Sequence, residues 1–152
     1  MRRPSKTPKE ALAKRSVQQG DCRVWTGRTE PNGYGKLTTG GRVKWVHRVA
    51  WELLRGPIPD GMVIDHKCFN RACINVDHLR LATKSQNGSN RGGPGPKNTT
   101  GFRNVHKKRN RYRVVMTKNG VTHMFGIFST AEEAAVVAET KRRELFGEFA
   151  GR

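Results

Sequence analysis

A chain of 152 residues suffices for one ordinary domain or two very small ones, which excludes a large multi-layer enzyme core. Hydrophobic residues make up 34% and charged residues 28%, and 17 glycines point to a modest core with many turns. Lys and Arg number 30 against 12 Asp and Glu, a net charge of +18, so the expected partner is a polyanion. No apolar run approaches the roughly 20 residues of a membrane span, and residues 1–19 are basic without an apolar signal core. The expectation is a cytoplasmic protein, not secreted and without a membrane partner, that binds nucleic acid.

In chain order, Cys22 to Thr26, Tyr34 to Thr38 and Arg42 to Trp45 read as short strands separated by Gly-rich turns. A helical stretch follows from Val46 to Leu54 and stops at Arg55-Gly56-Pro57, with Val49, Ala50, Leu53 and Leu54 expected to pack inward. Met62 to Asp65 and Leu79 to Ala82 are further strand segments, and Thr83 to Asn90 begins with a helix N-cap residue. Trp25, Trp45 and Trp51 are expected in the core rather than as stacking platforms for bases.

Composition changes between Gly88 and Thr100, where Gly-Ser-Asn-Arg-Gly-Gly-Pro-Gly-Pro-Lys-Asn-Thr-Thr reads as a linker. Beyond it, Gly101 to Val105, Tyr112 to Thr117 and Val121 to Phe128 read as strands, the last two joined by a tight turn at Asn119-Gly120. Ser129 or Thr130 caps a helix from Ala131 to Phe146, acidic at its start and basic near its end, whose Ala134, Ala135, Val137, Ala138 and Leu145 would face the sheet. Residues 97–123 hold eight Lys or Arg and no Asp or Glu, which concentrates positive charge on this sheet. The expected DNA contacts are Arg103, Lys107, Arg111, Arg113 and Lys118.

Three cysteines cannot pair off into disulfides, and Cys68-x4-Cys73 with His78 five positions later has the spacing of a metal site. The plainer alternative has the thiols as small buried hydrophobes.

The run Asp65-His66-x-Cys68-x4-Cys73-x4-His78-Leu79, with Asn87 nine residues after His78, resembles the HNH endonucleases and, more narrowly, the His-Cys box homing nucleases. The resemblance covers about residues 20–91 and departs from the group at Val76, where proline is common. It implies a small zinc-stabilised ββα-metal unit and the hydrolysis of DNA phosphodiesters. His66, at a strand end, can take a proton from water near pH 7 and is the candidate general base. Asn87 and Asp65 offer hard oxygen ligands for Mg²⁺ or a similar cation; Asn87 matches the family's metal-binding position, and Asp65 matches the HNH branch. Cys68, Cys73 and His78 leave a tetrahedral Zn²⁺ one ligand short, and Cys22 is the cysteine left to complete it. A competing reading has His78 orienting His66. Asn75 could fix the loop through side-chain to backbone hydrogen bonds. His47-Arg48 belongs to a His-Arg-x-Ala-Trp run like that of HNH relatives, which would present Arg48 to a phosphate; the plain reading is a surface pair on a helix.

Gly101-Phe102-Arg103-Asn104-Val105, Phe125-Gly126-Ile127-Phe128 and Thr130-Ala131-Glu132-Glu133-Ala134-Ala135 resemble an AP2 domain, a three-stranded sheet on one helix that lies in the DNA major groove. Asn104, His106 and Met124 depart from the plant members, so base specificity does not transfer. The expected fold class is α+β: a basic segment 1–19, an HNH unit 20–91, a linker 92–99 and an AP2-like unit 100–152. The expected function is a metal-dependent endonuclease of phage or mobile-element type acting on double-stranded DNA in a bacterial or phage-infected cell, with homodimer formation left open. The alternative is a non-catalytic zinc-containing regulator that binds DNA.

Overall fold

The computed structural model describes residues 7–152. They fall into two compact units, one ending at Thr83 and the other beginning at Lys84, ahead of the glycine-rich stretch rather than within it. No helix among the described residues is long and apolar enough to cross a membrane.

The first unit opens with α1 (Pro8–Lys14), where the sequence reading had only a basic segment. Thr7 and Glu10 form a reciprocal capping box, and Pro8 occupies the first turn, where its missing N–H costs nothing. Three antiparallel pairs follow: β1 (Ser16–Gln19) with β2 (Cys22–Trp25), β3 (Lys36–Thr39) with β4 (Arg42–Trp45), and β5 (Met62–His66) with β6 (Leu79–Thr83). Between β4 and β5 runs α2 (Val46–Arg55), closed by Gly56 at a φ of 92° that β-carbon-bearing residues avoid.

The core of this unit is small: Ala11, Trp25, Leu37, Val46, Val49, Ala50 and Ile74, with Leu12 and Val76 against it. Gly35 is required here, because a Cβ would stand 2.6 Å from the Trp25 ring. The expectation of three core tryptophans holds for Trp25 and fails for Trp45, which is 36% exposed. Leu53 and Leu54 are also exposed, because the packed stripe of α2 ends at Ala50 and the core does not reach its last turn.

The second unit starts with the short helix α3 (Lys84–Ser89). Its sheet comprises β7 (Val105–Lys108), β8 (Arg111–Lys118) and β9 (Val121–Phe128) in antiparallel order, with a bulge between Arg113 and Val115. The helix α4 (Ala131–Phe146) is capped by a Thr130–Glu133 box and packs on the sheet. Val105, Val114 and Met116 meet Ala134 and Ala138, with Phe102, Tyr112, Phe125 and Phe128 around them.

The expected strand from Gly101 to Val105 is a turn up to Asn104. Gly101 and Asn104 adopt φ values of 79° and 63°, and the Asn98 Oδ1 accepts from the backbone N–H groups of Thr100 and Gly101. A side chain that satisfies successive backbone donors offers the chain an alternative to a ladder, and here it wins.

Candidate active site and metal centre

β5 places Asp65 and His66 at its C-terminal end, paired across the ladder with Arg80 and Leu79. The chain then turns back sharply. Phe69 takes a left-handed φ of 61°, the Phe69 N–H donates to the His66 carbonyl, and the Cys73 N–H donates to the Asn70 carbonyl. β2 holds the returning loop from its other side: the Trp25 N–H donates to the Ala72 carbonyl at 2.8 Å and the Ile74 N–H to the Arg23 carbonyl at 2.7 Å. This bridging of β2 to residues 72–74 carries Cys22, distant in sequence, to the loop that bears Cys68 and Cys73. Asn75 caps the 3-10 turn Val76–His78 through its Oδ1 and donates from Nδ2 to the Asp21 carbonyl, which fixes the loop as its residue type suggested.

The donor atoms of Cys22, Cys68, Cys73 and His78 all lie within 4.8 Å of one another. The His78 Nδ1 stands 3.4 Å from the Cys22 Sγ and 3.6 Å from the Cys73 Sγ. An ion bonded to sulfur at about 2.3 Å and to nitrogen at about 2.0 Å in tetrahedral geometry sets that edge near 3.5 Å, so the donor set fits a closed four-coordinate site. Cys73 is fully buried, and burial pushes its thiol up to about 12; burial also raises Cys22. Thiols held protonated this way must release protons when a metal ion binds. His78 therefore faces the cysteine cluster.

His66 takes its orientation from the backbone instead: its ring Nε2 lies 3.1 Å from the Cys73 carbonyl oxygen. A carbonyl only accepts, so Nε2 carries the proton and Nδ1 is the basic nitrogen. The ring is 5% exposed and its pKa is lowered, first by desolvation, so it stays neutral below the usual histidine range. Asp65, 3% exposed, accepts from the Arg80 Nε at 2.8 Å. This ion pair engages one oxygen of a carboxylate that the sequence reading assigned to a cation. Asn87 lies on α3, half-buried.

Two rings that sequence reasoning did not group with His66 stand against it, and a third packs on them. Tyr34 is 5.8 Å away and His47 5.1 Å away by ring centroids, and Trp45 packs edge-on against Tyr34 at 5.9 Å. Arg71 lies over the Tyr34 ring and Lys36 over the Trp45 ring. Within the sequence only the adjacency of Trp45 and His47 hinted at this wall. Arg48 is half-buried on α2.

In the second unit the alternation of β8 sorts the basic residues. Arg111 and Arg113 point to the face away from α4, beside Lys108 and His106 on β7. Lys118 has the opposite parity, and its Nζ donates to the Leu145 carbonyl at the end of α4. Lys107 is exposed and pairs with Tyr112, on the side of the sheet that faces the helix. Arg103 is half-buried, and its guanidinium donates to the carbonyls of Ser89, Arg91, Ala150 and Arg152. Desolvation and the nearby Arg142 and Arg91 lower its pKa to about 10.

Residues 44–89 match the sequence model of the HNH endonucleases, a stretch that holds His47, Asp65, His66, Cys68, Cys73, His78 and Asn87 but not Cys22. Protein 3.8 of Escherichia phage T7 is 38% identical over 106 residues, covering 68% of this chain and 86% of that protein. The chain belongs to the HNH endonuclease family. A protein of Acanthamoeba polyphaga mimivirus named uncharacterized HNH endonuclease L560 is 36% identical over 106 residues, 69% of this chain and 54% of its own. Protein 7.7 of phage T7 is 40% identical over 67 residues, 44% of this chain and 52% of its own. This HNH chain thus spans about half the length of these last two relatives. No solved structure matches it.

Proposed function

We propose that this HNH chain is a metal-dependent DNA endonuclease that hydrolyses phosphodiester bonds with His66 as general base. The observation that carries the reading is a buried imidazole at the end of β5 whose Nε2 donates to the Cys73 carbonyl, which sets the tautomer in which Nδ1 is the basic nitrogen for the attacking water. Water so activated attacks phosphorus in line with the departing sugar oxygen. Asn87 and Asp65 are the proposed holders of the active-site cation, since amide and carboxylate oxygens suit Mg²⁺. Such a cation, when bound, stabilises charge on the phosphate and the leaving oxygen. The Arg80 guanidinium donates from Nε to the Asp65 carboxylate and fixes its orientation at the base of the site.

Cys22, Cys68, Cys73 and His78 are proposed to hold structural Zn²⁺, the ion whose bond lengths fit their spacing. It replaces hydrophobic core that a unit with so few buried apolar residues lacks. For the second unit we read an AP2-like sheet that guides the nuclease to double-stranded DNA. That reading is supported by the order β7-β8-β9-α4 and by the outward placement of Arg111 and Arg113. Arg48 and Lys107 remain proposed contacts, while Lys118 and Arg103, whose side chains donate to backbone carbonyls of their own unit, are proposed only as weaker ones. Phage and viral relatives favour a homing-type enzyme of phage or mobile elements.

The rival is a zinc-containing regulator that only binds DNA, and the engagement of Asp65 by Arg80 favours it. Incubation of supercoiled plasmid with the purified chain decides between them. Nicked or linear product with Mg²⁺, and none with chelator, is expected. Intact plasmid under every divalent cation, with DNA binding retained, would establish the regulator.

A further inference from the structure

The glycine-rich stretch that reads as a linker in sequence is built into the second unit. Its near end is held by Arg103, whose guanidinium donates to the carbonyls of Ser89 and Arg91. Its far end is held by Asn98, which donates from Nδ2 to the Phe102 carbonyl and accepts at Oδ1 from the Thr100 and Gly101 N–H groups. The Asn98 N–H also closes a turn onto the Gly95 carbonyl. Ordering glycines costs more conformational entropy than ordering other residues, so bonds that hold such a stretch in place call for a purpose. A tether between domains needs none of them.

The ordered segment and β7, an edge strand of the sheet, line a cleft of about 750 Å³. Val105, His106 and Lys107 line it in succession, so it follows the free edge of β7 rather than one face. Five cations border the cleft, Arg91, Lys97, Arg103, Lys107 and Arg113, and no Asp or Glu does. The side chains of Lys97, Lys107 and Arg113 are exposed and make no hydrogen bond or ion pair with other described residues. Like charges gathered without an acid repel one another, and an anion between them relieves that cost. One aromatic ring, Phe146, lines the cleft. It is therefore neither the apolar pocket of a small molecule nor a stacking platform for unpaired bases.

We propose that this cleft binds the sugar-phosphate backbone of one strand of duplex DNA, with Lys97, Lys107 and Arg113 meeting its phosphates, and that residues 91–98 are a fixed wall of the site. The inference rests on the reading of the second unit as the DNA guide, and adds Lys97 and its segment to that surface. Because the wall is ordered before the strand arrives, less conformational freedom is lost on binding.

The test titrates the full chain with a short DNA duplex over a range of salt, without Mg²⁺ so that the strands stay intact. Lys97→Ala is expected to flatten the slope of log affinity against log salt by about 0.9, and Lys97→Ala with Lys107→Ala by about 1.8. Lys141→Ala removes the same charge from α4, where the ammonium pairs with Glu144, and is expected to leave the slope unchanged. A segment that only shields the edge of β7 predicts no change for Lys97→Ala. A Lys97→Ala slope equal to that of the wild type, or matched by Lys141→Ala, overturns the cleft and leaves Arg111 and Arg113 to carry the guide reading. In amide spectra of the wild type, Gly93 and Gly95 are expected to shift with duplex. Saturable shifts with inorganic phosphate at matched ionic strength, which added duplex does not displace, overturn the proposal in favour of a small phosphate ligand. A wild type that binds no duplex at all refutes the guide reading and the cleft with it.

Discussion

The imidazole Nε2 of His66 lies 3.1 Å from the carbonyl oxygen of Cys73, whose thiol is the most buried of the Cys3His cluster. The bond runs from the proposed base to the backbone of a proposed zinc ligand, so the metal and the base share one peptide unit. Removing the ion should therefore disable catalysis at a site where it takes no part. Metal analysis is expected to find one Zn²⁺ per chain. Protein stripped of it, or carrying Cys22→Ser, should lose cleavage even when Mg²⁺ is supplied, and zinc should restore the stripped wild type. Structural zinc contributes on the order of 10 kcal/mol to small domains, enough to decide whether the first unit folds. Full activity of a zinc-free protein would uncouple the two.

Replacing the base tests the chemistry more directly. His66→Ala is expected to lower the cleavage rate about 10²-fold to 10⁴-fold while DNA affinity changes little. Rate and affinity measured on the same preparation check it, and near-normal cutting would remove His66 from its role.

Charge on the sheet divides into two kinds. Arg111 and Arg113 face outward from β8, whereas Lys118 donates to the Leu145 carbonyl. If the outward pair meets phosphates, Arg111→Ala with Arg113→Ala should flatten the slope of log affinity against log salt by about 0.9 for each phosphate no longer neutralised. Lys118→Ala should leave that slope nearly unchanged and reduce thermal stability by about 1 kcal/mol, the worth of one hydrogen bond at a helix end. Equal slopes for all three proteins would give the basic face another purpose.

Acid should weaken the first unit through His47. Its pKa falls from the ordinary 6.5 to about 3 on folding, so the folded state binds fewer protons than the unfolded state between those values. Stability is thus full above 6.5 and declines as pH falls through the window, by about 2 kcal/mol at pH 5. Urea unfolding of wild type and His47→Gln at pH 7.5 and pH 5 measures it: the wild type should lose more. Zinc release lowers both proteins and cancels in the difference.

The sequence alone determined much of this molecule. The spacing of Cys68, Cys73 and His78 pointed to a group that could hold a metal ion, because residues a few positions apart in one loop meet without help from distant elements. Caps and turn residues located α2 and α4, since these signals act within a few residues. Even Cys22 was reachable, being the cysteine left over. Local rules failed where a side chain had two competing partners. Asn98 and its backbone neighbours turned an expected strand into a turn, and the end of the small core left Trp45 and Leu54 exposed.

Only the tertiary structure decided the partners of the charged and titratable groups. Asp65 meets Arg80 because β5 and β6 pair in that register, and His66 meets the Cys73 carbonyl because the loop folds back at Phe69. Arg103 became a clasp on four carbonyls while Arg111 and Arg113 stayed in solvent, although all three look alike in sequence. The physical reason is the same in each case. Hydrophobic periodicity and capping are written within one element, but the role of a charge or an imidazole depends on which distant backbone atom or side chain lies within about 3 Å, and packing of separate elements sets that distance.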